Sequence, residues 1–500
     1  MGIRSILARP LASYIAAQTR EWAGSPQDFQ EKILRENLKQ ANQTRFGKEH
    51  GFQDIRTIED FRRQVPVKDY EQLKPWFDEV ATGAPNVLWP GKPAYLAKTS
   101  GTTSGTKYIP ITRESIPNHI NSARNALLSY VHETGKSLFL DGKLIFLSGS
   151  PELEEKGGIP TGRLSGIVNH HVPAYLRTNQ KPSYRTNIIE DWETKLDRII
   201  DETIDARMTL ISGIPPWVQM YFDRIQARTG KRIKDVFPDF SVFVYGGVNF
   251  SPYRAKLEES IGRKTDSIEL YPASEGFIAY QDSQHEEGML LLANSGIFFE
   301  FIPAEEYFSP NPRRLSLSET EIGKNYALVI NSNAGLWGYS IGDTVKFVSR
   351  DPYRLLVTGR VKHFISAFGE HVIGEEVEQA MRSACAIFPE TAVTEFTVAP
   401  QVTPAEGLPH HEWMIAFDRP PADMEQFRLK LDESLRSLNT YYDDLISGNI
   451  LRTLVITPLQ TDAFIAYMKT QGKLGGQNKV PRLSNDRRIA EALLPYQINS

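Results

Sequence analysis

One cysteine, Cys385, stands in 500 residues. An internal disulfide is therefore excluded, and a reducing cytoplasm is the expected compartment. There is little excess of either charge: 57 Lys and Arg against 61 Asp and Glu leave a net −4. That balance gives no electrostatic reason to expect nucleic acid or an anionic membrane as partner. No apolar run approaches the roughly 20 residues that a membrane-spanning helix needs. The first 22 residues, interrupted by Arg4, Arg9, Pro10 and Arg20, lack the unbroken apolar core of a signal peptide. Ile6 stands where a myristoylation signal carries Ser or Thr, so an amphipathic first helix packed on the body is expected instead. Metal-ligand spacings are missing too. His170–His171 and His410–His411 are adjacent pairs, and neighbours on a helix or strand point apart, so no structural zinc site is expected.

What is present is ordinary for a soluble globular chain, 40% hydrophobic and 24% charged, at a length that implies two or three domains. The most unusual stretch is AKTSGTTSGTKYIPIT, from Ala97 to Thr112. Thr99, Ser100, Thr102, Thr103, Ser104 and Thr106 surround Gly101 and Gly105, and Lys107 closes the run. Glycine lets the main chain approach a ligand closely, and successive N–H groups form an anion-binding concavity. A polyphosphate is the natural guest. A Gly/Ser/Thr run also makes a flexible linker, but Lys107 and the immediate return to the apolar YIPI argue for a site. It is not a Walker A motif. That motif needs four residues between its glycines, a lysine straight after the second and then a hydroxyl; here Thr106 precedes Lys107 and Tyr108 follows it.

Along the rest of the chain, Ser25-Pro26-Gln27-Asp28 reads as a helix N-cap with proline in the first turn and a capping-box acid. Phe29, Ile33, Leu34 and Leu38 continue that helix, which frays near Gly47. Short helices and turns fill 48–96, and a helix from Ser115 to about Val131 follows the Thr/Gly-rich loop. Strands at Lys143–Ser148, Met208–Ser212 and Val242–Tyr245 then alternate with helices over Trp192–Asp205 and from Pro215 through Ile225. This is the pattern of a mostly parallel sheet, whose ligands lie beyond the carboxyl ends of its strands. Gly246-Gly247-Val248 and Tyr271–Gly276 fall there. From Met289, MLLLA, a turn at Asn294–Gly296 and IFFEFIP read as a β-hairpin. Tyr326–Ile330 and Thr344–Val348 extend an antiparallel, barrel-like part. After a boundary near Val357–Lys362 come a helix over Glu375–Ser383, strands around Phe396–Val398 and Trp413–Phe417, a helix over Met424–Leu438, a strand at Leu454–Thr457 and a helix from Asp462. The expected architecture is α/β: a large N-terminal domain over 1–357, a hinge at 358–362, and a smaller, mobile α+β domain over 363–500.

Four features in fixed order, TSGTTSGTK, YGGV after a strand, YPASEG, and YSIGD followed by TGR, resemble the adenylate-forming superfamily that includes firefly luciferase. YPASEG, GLWGYSIGDTVKF and the late QNKVPR look more like the Gretchen Hagen (auxin-responsive promoter) family of acyl acid amido synthetases than the acyl-CoA ligases. The likeness covers essentially the whole chain. It implies a ligase that adenylates a carboxylic acid with ATP, releases pyrophosphate, and passes the acyl group to the amine of an amino acid. An acyl-CoA or carrier-protein ligase with the same first half-reaction is the alternative; a non-catalytic nucleotide-binding module is the reading from outside the enzymes. ATP and Mg²⁺ are the implied cofactors, and a small-molecule acid and an amino acid the partners, with neither nucleic acid nor membrane. The oligomeric state is left open, and a monomer is compatible.

An acyl-adenylate forms when a carboxylate attacks the α-phosphorus of MgATP, so the site must cancel charge and hold the reactants in line. Thr99, Ser100, Gly101, Thr102, Thr103, Ser104 and Gly105 are assigned to the phosphates, with Lys107 as a catalytic cation. Gly246, Gly247 and Val248 offer open backbone for the purine, although a plain strand-end turn would read the same, and Tyr271 suits stacking on adenine. In YPASEG, Ser274 is placed at the α-phosphate. Glu275, the acid of that motif, is assigned a catalytic role as the carboxylate that would carry Mg²⁺, a cation preferring carboxylate and phosphate oxygens. Asp343 suits both ribose hydroxyls, and Arg360 adds a ribose or phosphate contact. The resemblance also implies a lysine near the C-terminus that stabilises the adenylation transition state. Lys479 in QNKVPR occupies its place, Lys469 and Lys473 compete for it, and its use requires the small domain to rotate about the hinge. The stretch FGEHVIGEE, Phe368 to Glu376, lacks a lysine that some members carry nearby, so no site residue is assigned there.

By analogy the acyl pocket is built by Val168–Tyr175, Ile214–Tyr221 and Val248–Ser251, where Val172, Trp217 and Val218 suit an apolar or aromatic acid. His119 either faces the site or is a capping or surface residue. Gly338–Gly342 spells G-x-S-x-G, but a hydrolase nucleophile elbow sits between a strand and a helix. Polar residues precede this one and the strand-like DTVKFV follows it, so a serine hydrolase is excluded.

Overall fold

The computed structural model describes residues 2–102, 105–172, 177–247, 250–361, 364–365, 367–370, 372–471 and 480–498. The chain divides into two compact units. The first comprises Met1–Thr99, Lys107–Glu190 and Thr194–Val361; the second comprises Ser100–Thr106, Asp191–Glu193 and Lys362–Ser500.

The first unit opens with helices α1 (Ile3–Gly24) and α2 (Pro26–Ala41). Proline at the start of α2 loses no hydrogen bond, because the first N–H groups of a helix have no internal partner. Ile33, Leu34 and Leu38 form the buried stripe of α2. Ser25 occupies the N-cap position but its side chain makes no capping bond, and α2 stops at Ala41, earlier than Gly47. There Thr44 caps a separate short helix, α3 (Arg45–Glu49), by accepting from the Gly47 amide. Helices α4 (Ile58–Gln64) and α5 (Tyr70–Ala81) each start on a complete capping box, Thr57 with Asp60 and Asp69 with Gln72. Next come α6 (Ile116–Thr134), closed by Gly135 in the left-handed conformation, and α7 (Leu164–His170).

Among the described residues two sheets are built from the strands β1 (Tyr95–Thr102), β2 (Gly105–Ile111), β3 (Lys143–Phe146), β4 (Glu154–Lys156), β5 (Ile159–Arg163), β6 (Gln180–Lys181), β7 (Met208–Ser212), β8 (Val242–Gly246), β9 (Asp266–Ala273), β10 (Gly276–Tyr280), β11 (Met289–Leu291), β12 (Ile297–Pro303), β13 (Asn325–Ser332), β14 (Leu336–Arg350) and β15 (Tyr353–Arg360). A small sheet has the order β2-β1-β5-β4. The Thr/Gly-rich stretch is thus carried largely on two neighbouring strands, not on a free loop. The large sheet runs β12-β13-β14-β15-β11-β10-β9-β8-β7-β3-β6. Its β6-β3-β7-β8-β9 part is parallel, and from β9 through β12 every neighbour is antiparallel. The antiparallel part therefore continues the parallel sheet.

The hairpin expected over Met289–Pro303 does not form. β11 pairs with β10 and β15, while β12 pairs with β13 at the far edge. Side chains of α2 satisfy the backbone that a hairpin ladder would have satisfied. Buried Gln30 donates to the carbonyls of Ala293 and Ile297 and accepts from the Phe299 amide, and Asn37 donates to the Gly296 carbonyl. Every residue of β12 is buried, including Glu300, whose carboxylate is matched by Arg62, Arg314 and Asn331. Aromatic packing fills the same core: Trp337 lies edge-on to Phe52 at 4.7 Å and its indole donates to the Leu88 carbonyl at 3.0 Å. A side chain of this size contributes about 1.5–3 kcal/mol when fully buried. Gly338–Gly342 lies inside β14, a continuous strand, so no nucleophile elbow exists there. Thr358, Gly359 and Arg360, the first three residues of the expected hinge, are part of β15.

The second unit holds the short strands β16 (Phe364–Ile365) and β17 (Val372–Ile373), paired with each other. Its main sheet is β18 (Ala392–Gln401), β19 (His410–Arg419) and β20 (Val455–Leu459). Helices Gly374–Ile387 and Met424–Leu438 accompany that sheet. A further helix, Thr440–Ser447, is capped by the Asn439 side chain and has no sequence-based counterpart above. His411 turns inward, its Nε2 lying 2.7 Å from Glu370 Oε1, with both side chains fully buried.

Candidate active site

The carboxyl ends of β8 and β9 adjoin. Gly246 ends β8 and lies in register with Leu270 of β9, so Tyr271 follows one residue beyond. A Cβ on Gly246 would come within 2.3 Å of the Leu270 carbonyl oxygen, so only glycine permits this approach of the two strands. Gly247 has φ +83° and faces open space. The two glycines thus serve different needs, close strand packing at the first and a left-handed turn at the second.

Tyr271 joins this strand end to a distant motif. Its hydroxyl donates to Asp343 Oδ2 at 2.6 Å, and both side chains are buried. Asp343 stands on β14 opposite Arg360 of β15 in the backbone register. Three of the ordered motifs, YGGV, YPASEG and YSIGD with TGR, therefore converge on one region. Ser274 and Glu275 form the tight turn between β9 and β10, half-buried. Glu275 Oε1 accepts from the Tyr339 hydroxyl at 3.2 Å. Tyr339 is the first residue of YSIGD, so that motif meets YPASEG twice.

Lys107 reaches the same region through stacked rings. Its Nζ lies 5.2 Å above the Tyr70 ring, within cation–π range. Tyr70 stacks on Phe77 at 5.0 Å, and Phe77 meets Tyr339 edge-on at 6.0 Å. The Tyr70 hydroxyl accepts from the Tyr108 amide at 3.0 Å. Burial pushes that phenol up to about 12, so it remains protonated at neutral pH. Tyr70 and Phe77 belong to no motif named from the sequence, and Tyr339 figures there only as part of YSIGD. The available signal was the seven-residue spacing of Tyr70 and Phe77, which puts both on one face of α5.

The surroundings of Glu275 suit a magnesium ion. Mg²⁺ is usually held by one or two carboxylates together with substrate phosphates and water, not by an all-protein cage. Among the described residues no cluster of three or more His, Cys, Asp or Glu offers such a cage. Glu275 supplies one partly exposed carboxylate whose Oε2 meets no donor among the described residues.

The other expected site residues are spread more widely. Thr99 lies half-buried on β1, Ser100, Gly101 and Thr102 continue that strand, and Gly105 begins β2. Thr103, Ser104, Val248, Lys473 and Lys479 lie outside the described residues, whereas Lys469 lies in the last turn of the helix Ala463–Thr470. Val172 sits in the turn after α7, its carbonyl held by Arg177. Trp217 is 8% exposed on the helix Pro215–Thr229. Val218 is fully buried on that helix, beside Gly213, and belongs to the packed layer and not to an open lining. His119 is neither a cap nor a surface residue. It is buried on α6, burial lowers its imidazole to about 4, and its Nδ1 meets no partner among the described residues.

Two titratable groups at the strand ends carried no sequence signal. Lys195, on the helix Trp192–Thr203, is buried and donates to the carbonyls of Ser148 at 2.9 Å and Asn187 at 2.7 Å. It pins the segment that leaves the carboxyl end of β3. Burial, helped by the nearby Arg163 charge, lowers its amine to about 8. Glu269 lies two residues before Tyr271, hence on the same face of β9. Burial raises its carboxyl, opposed by Arg254 and a hydrogen bond from Tyr245.

Models of one family match three segments of this chain: the GH3 family N-terminal domain over residues 16–184, its central domain over 290–360 and its C-terminal domain over 375–488. An indole-3-acetic acid-amido synthetase, GH3.3 of Arabidopsis thaliana, is 24% identical across 93% of this chain and 91% of its own length. The structure of the GH3.15 acyl acid amido synthetase in complex with 2,4-DB superimposes with a TM-score of 0.60 at 16% identity, covering 98% of this chain and 96% of that one. A 2-hydroxyisobutyryl-CoA ligase in complex with 2-HIB-AMP and CoA also reaches 0.60, at 14% identity over 95% and 92% of the two chains. At such identities the structures share the fold. The three family segments together span well over half of the sequence, and the chain belongs to the GH3 family.

Proposed function

We propose that this protein is an ATP-dependent acyl acid amido synthetase. It joins a carboxylic acid to an amino acid in two steps. The acid's carboxylate attacks the α-phosphorus of ATP, giving an acyl-adenylate and pyrophosphate. The amino acid's amine then attacks the acyl carbon, AMP leaves, and the amine nitrogen gives up its proton. Beyond family membership, the supporting observation is the pair of bonds Tyr271–Asp343 and Tyr339–Glu275, which draws separate motifs to the carboxyl ends of the parallel strands.

In this reading the β1–β2 backbone and Lys107 offset phosphate charge, with the Lys107 ammonium steadied over Tyr70. Asp343 accepts from the ribose hydroxyls. A carboxylate accepts several hydrogen bonds, so its bond from Tyr271 fixes its orientation without occupying it. Arg360 adds a ribose or phosphate contact, Gly246 and Gly247 give the purine an open edge, and Ser274 donates to the α-phosphate. Glu275 and the ATP phosphates together would hold Mg²⁺, which supplies charge neutralisation on the departing pyrophosphate. Lys479 approaches on closure of the small domain, and the reaction takes place in the cytoplasm. The fold shared with a CoA ligase motivates the second reading, thioester formation from the same adenylate.

The test is pyrophosphate release from ATP and Mg²⁺ across a panel of carboxylic acids, with amino acids or coenzyme A as acceptor. The proposal predicts acid-dependent release accelerated by an amino acid. Acceleration by coenzyme A alone would establish the thioester reading, and nucleotide binding without release under every condition would establish a non-catalytic module.

A further inference from the structure

Helix α1 carries its bulk on the unexpected side. The face turned to the body is mostly small, with Ser5, Ala8, Ala12 and Ala16 buried along it beside Ile15 and Trp22. Polar anchors fix that face. Asp141 accepts from the Ser5 amide at 3.1 Å and the Ser5 hydroxyl at 2.6 Å, and the Arg9 guanidinium donates to Ser137 Oγ and the Gly135 carbonyl. The large side chains point outward instead: Ile3 is 76% exposed, Ile6 53%, Leu7 62%, Leu11 44% and Tyr14 59%. Their spacing, 3-7-11-14 with 6 alongside, forms one stripe over three turns. Leu138, three residues before the Asp141 that anchors α1, is likewise 55% exposed. Apolar side chains scattered over a surface need no explanation, but a contiguous patch marks an interaction site.

Charge selects the partner. Across Ile3–Gly24 the ionic residues are Arg4, Arg9, Arg20 and a single acid, Glu21. Beside the helix, Lys143 donates to the Thr178 carbonyl, and Arg4 to the Thr178 hydroxyl. The bonds of Arg9 and Lys143 go to uncharged acceptors, which leave the positive charge in place. Asp141, the nearby acid, accepts from the uncharged Ser5 hydroxyl and Gly2 amide, so its negative charge stays too and offsets one of these cations. An exposed apolar stripe flanked by arginines is the arrangement of a helix lying in a membrane interface, and an anionic surface adds attraction for each nearby cation. The net charge of −4 conceals this local excess. No described helix is long and apolar enough to cross a membrane, so contact is confined to the interface. Pairing with a second copy through the same stripe would set like-charged arginines against each other.

We propose that α1 docks this protein reversibly, flat on an anionic phospholipid surface, with Ile3, Leu7, Leu11 and Tyr14 entering the headgroup boundary. The test is flotation of the full chain with vesicles of phosphatidylcholine alone or mixed with phosphatidylserine, at low and high salt, beside a Leu7→Glu/Leu11→Glu variant. The expected result is binding to the phosphatidylserine vesicles that weakens with salt and falls about tenfold or more in the variant, while ATP–pyrophosphate exchange in solution is unchanged. Absence of binding, or equal binding to neutral vesicles, would overturn the proposal. So would a dimer in light scattering that the variant converts to monomers, because the stripe would then be a contact between copies.

Discussion

Tyr271 and Asp343 lie 72 residues apart and meet through one short hydrogen bond. A hydrogen bond to an ionised carboxylate is worth about 1.5–3 kcal/mol, so Tyr271→Phe should raise the ATP KM roughly tenfold with less effect on kcat. Asp343→Asn should raise it further, because that change also weakens the acceptor offered to ribose. An unchanged ATP KM in Asp343→Asn would remove this residue from the nucleotide site. Lys195 gives a pH-dependent expectation. Its amine falls from an ordinary 10.5 to about 8 on folding, so between those values the unfolded chain binds the extra proton. Stability then rises with pH across that window, by at most about 3 kcal/mol. In Lys195→Met that rise should be absent from denaturation midpoints measured from pH 7.5 to 10.5; profiles parallel to the parent would contradict it. At this scale Asp343, Glu275 and Tyr271 stood out because short ordered motifs carry them, and the structure brings those motifs together, while their roles belong to the proposal. Tyr70 and Lys195 did not, because nothing in a single sequence states which way a side chain points.

Among elements, the meeting of β8 and β9 depends on Gly246. Gly246→Ala places a methyl against the Leu270 carbonyl oxygen, where the backbone must yield. Overpacking of this kind costs about 1–3 kcal/mol, so the melting temperature should drop by several degrees and nucleotide affinity should weaken with it. A variant as stable and active as the parent would mean that the strand end adjusts freely. The alternation of strands and helices from Lys143 to Tyr245 was legible because each strand is a short apolar run between helical periods. The hairpin over Met289–Pro303 misled for an equally physical reason. Its two apolar runs and Asn-Ser-Gly turn are locally ideal, but Gln30 and Asn37, more than 250 residues earlier, bind the connecting backbone, and β12 pairs elsewhere. Local turn chemistry cannot register a competitor so far away in sequence.

For the whole molecule, the proposed chemistry needs Lys479, which lies outside the described residues, at the bound nucleotide. Lys479→Ala should slow pyrophosphate release by about a hundredfold or more while leaving ATP affinity nearly intact; normal turnover would move the role to Lys469 or Lys473. The family and the α/β architecture were readable at this scale because the motifs run in one order along the entire chain. The outward-facing stripe of α1 was not, since an apolar period announces a helix without saying which face is covered. The central claim is that an acid is activated as its adenylate and handed to an amine. Its most direct test supplies an acid labelled with oxygen-18 in its carboxylate, with ATP, Mg²⁺ and mixed amino acids, and weighs the products. The account predicts one labelled oxygen in AMP and the other retained in an acyl–amino acid amide. Label appearing in inorganic phosphate, or an acyl thioester formed in place of the amide when coenzyme A is also present, would contradict it.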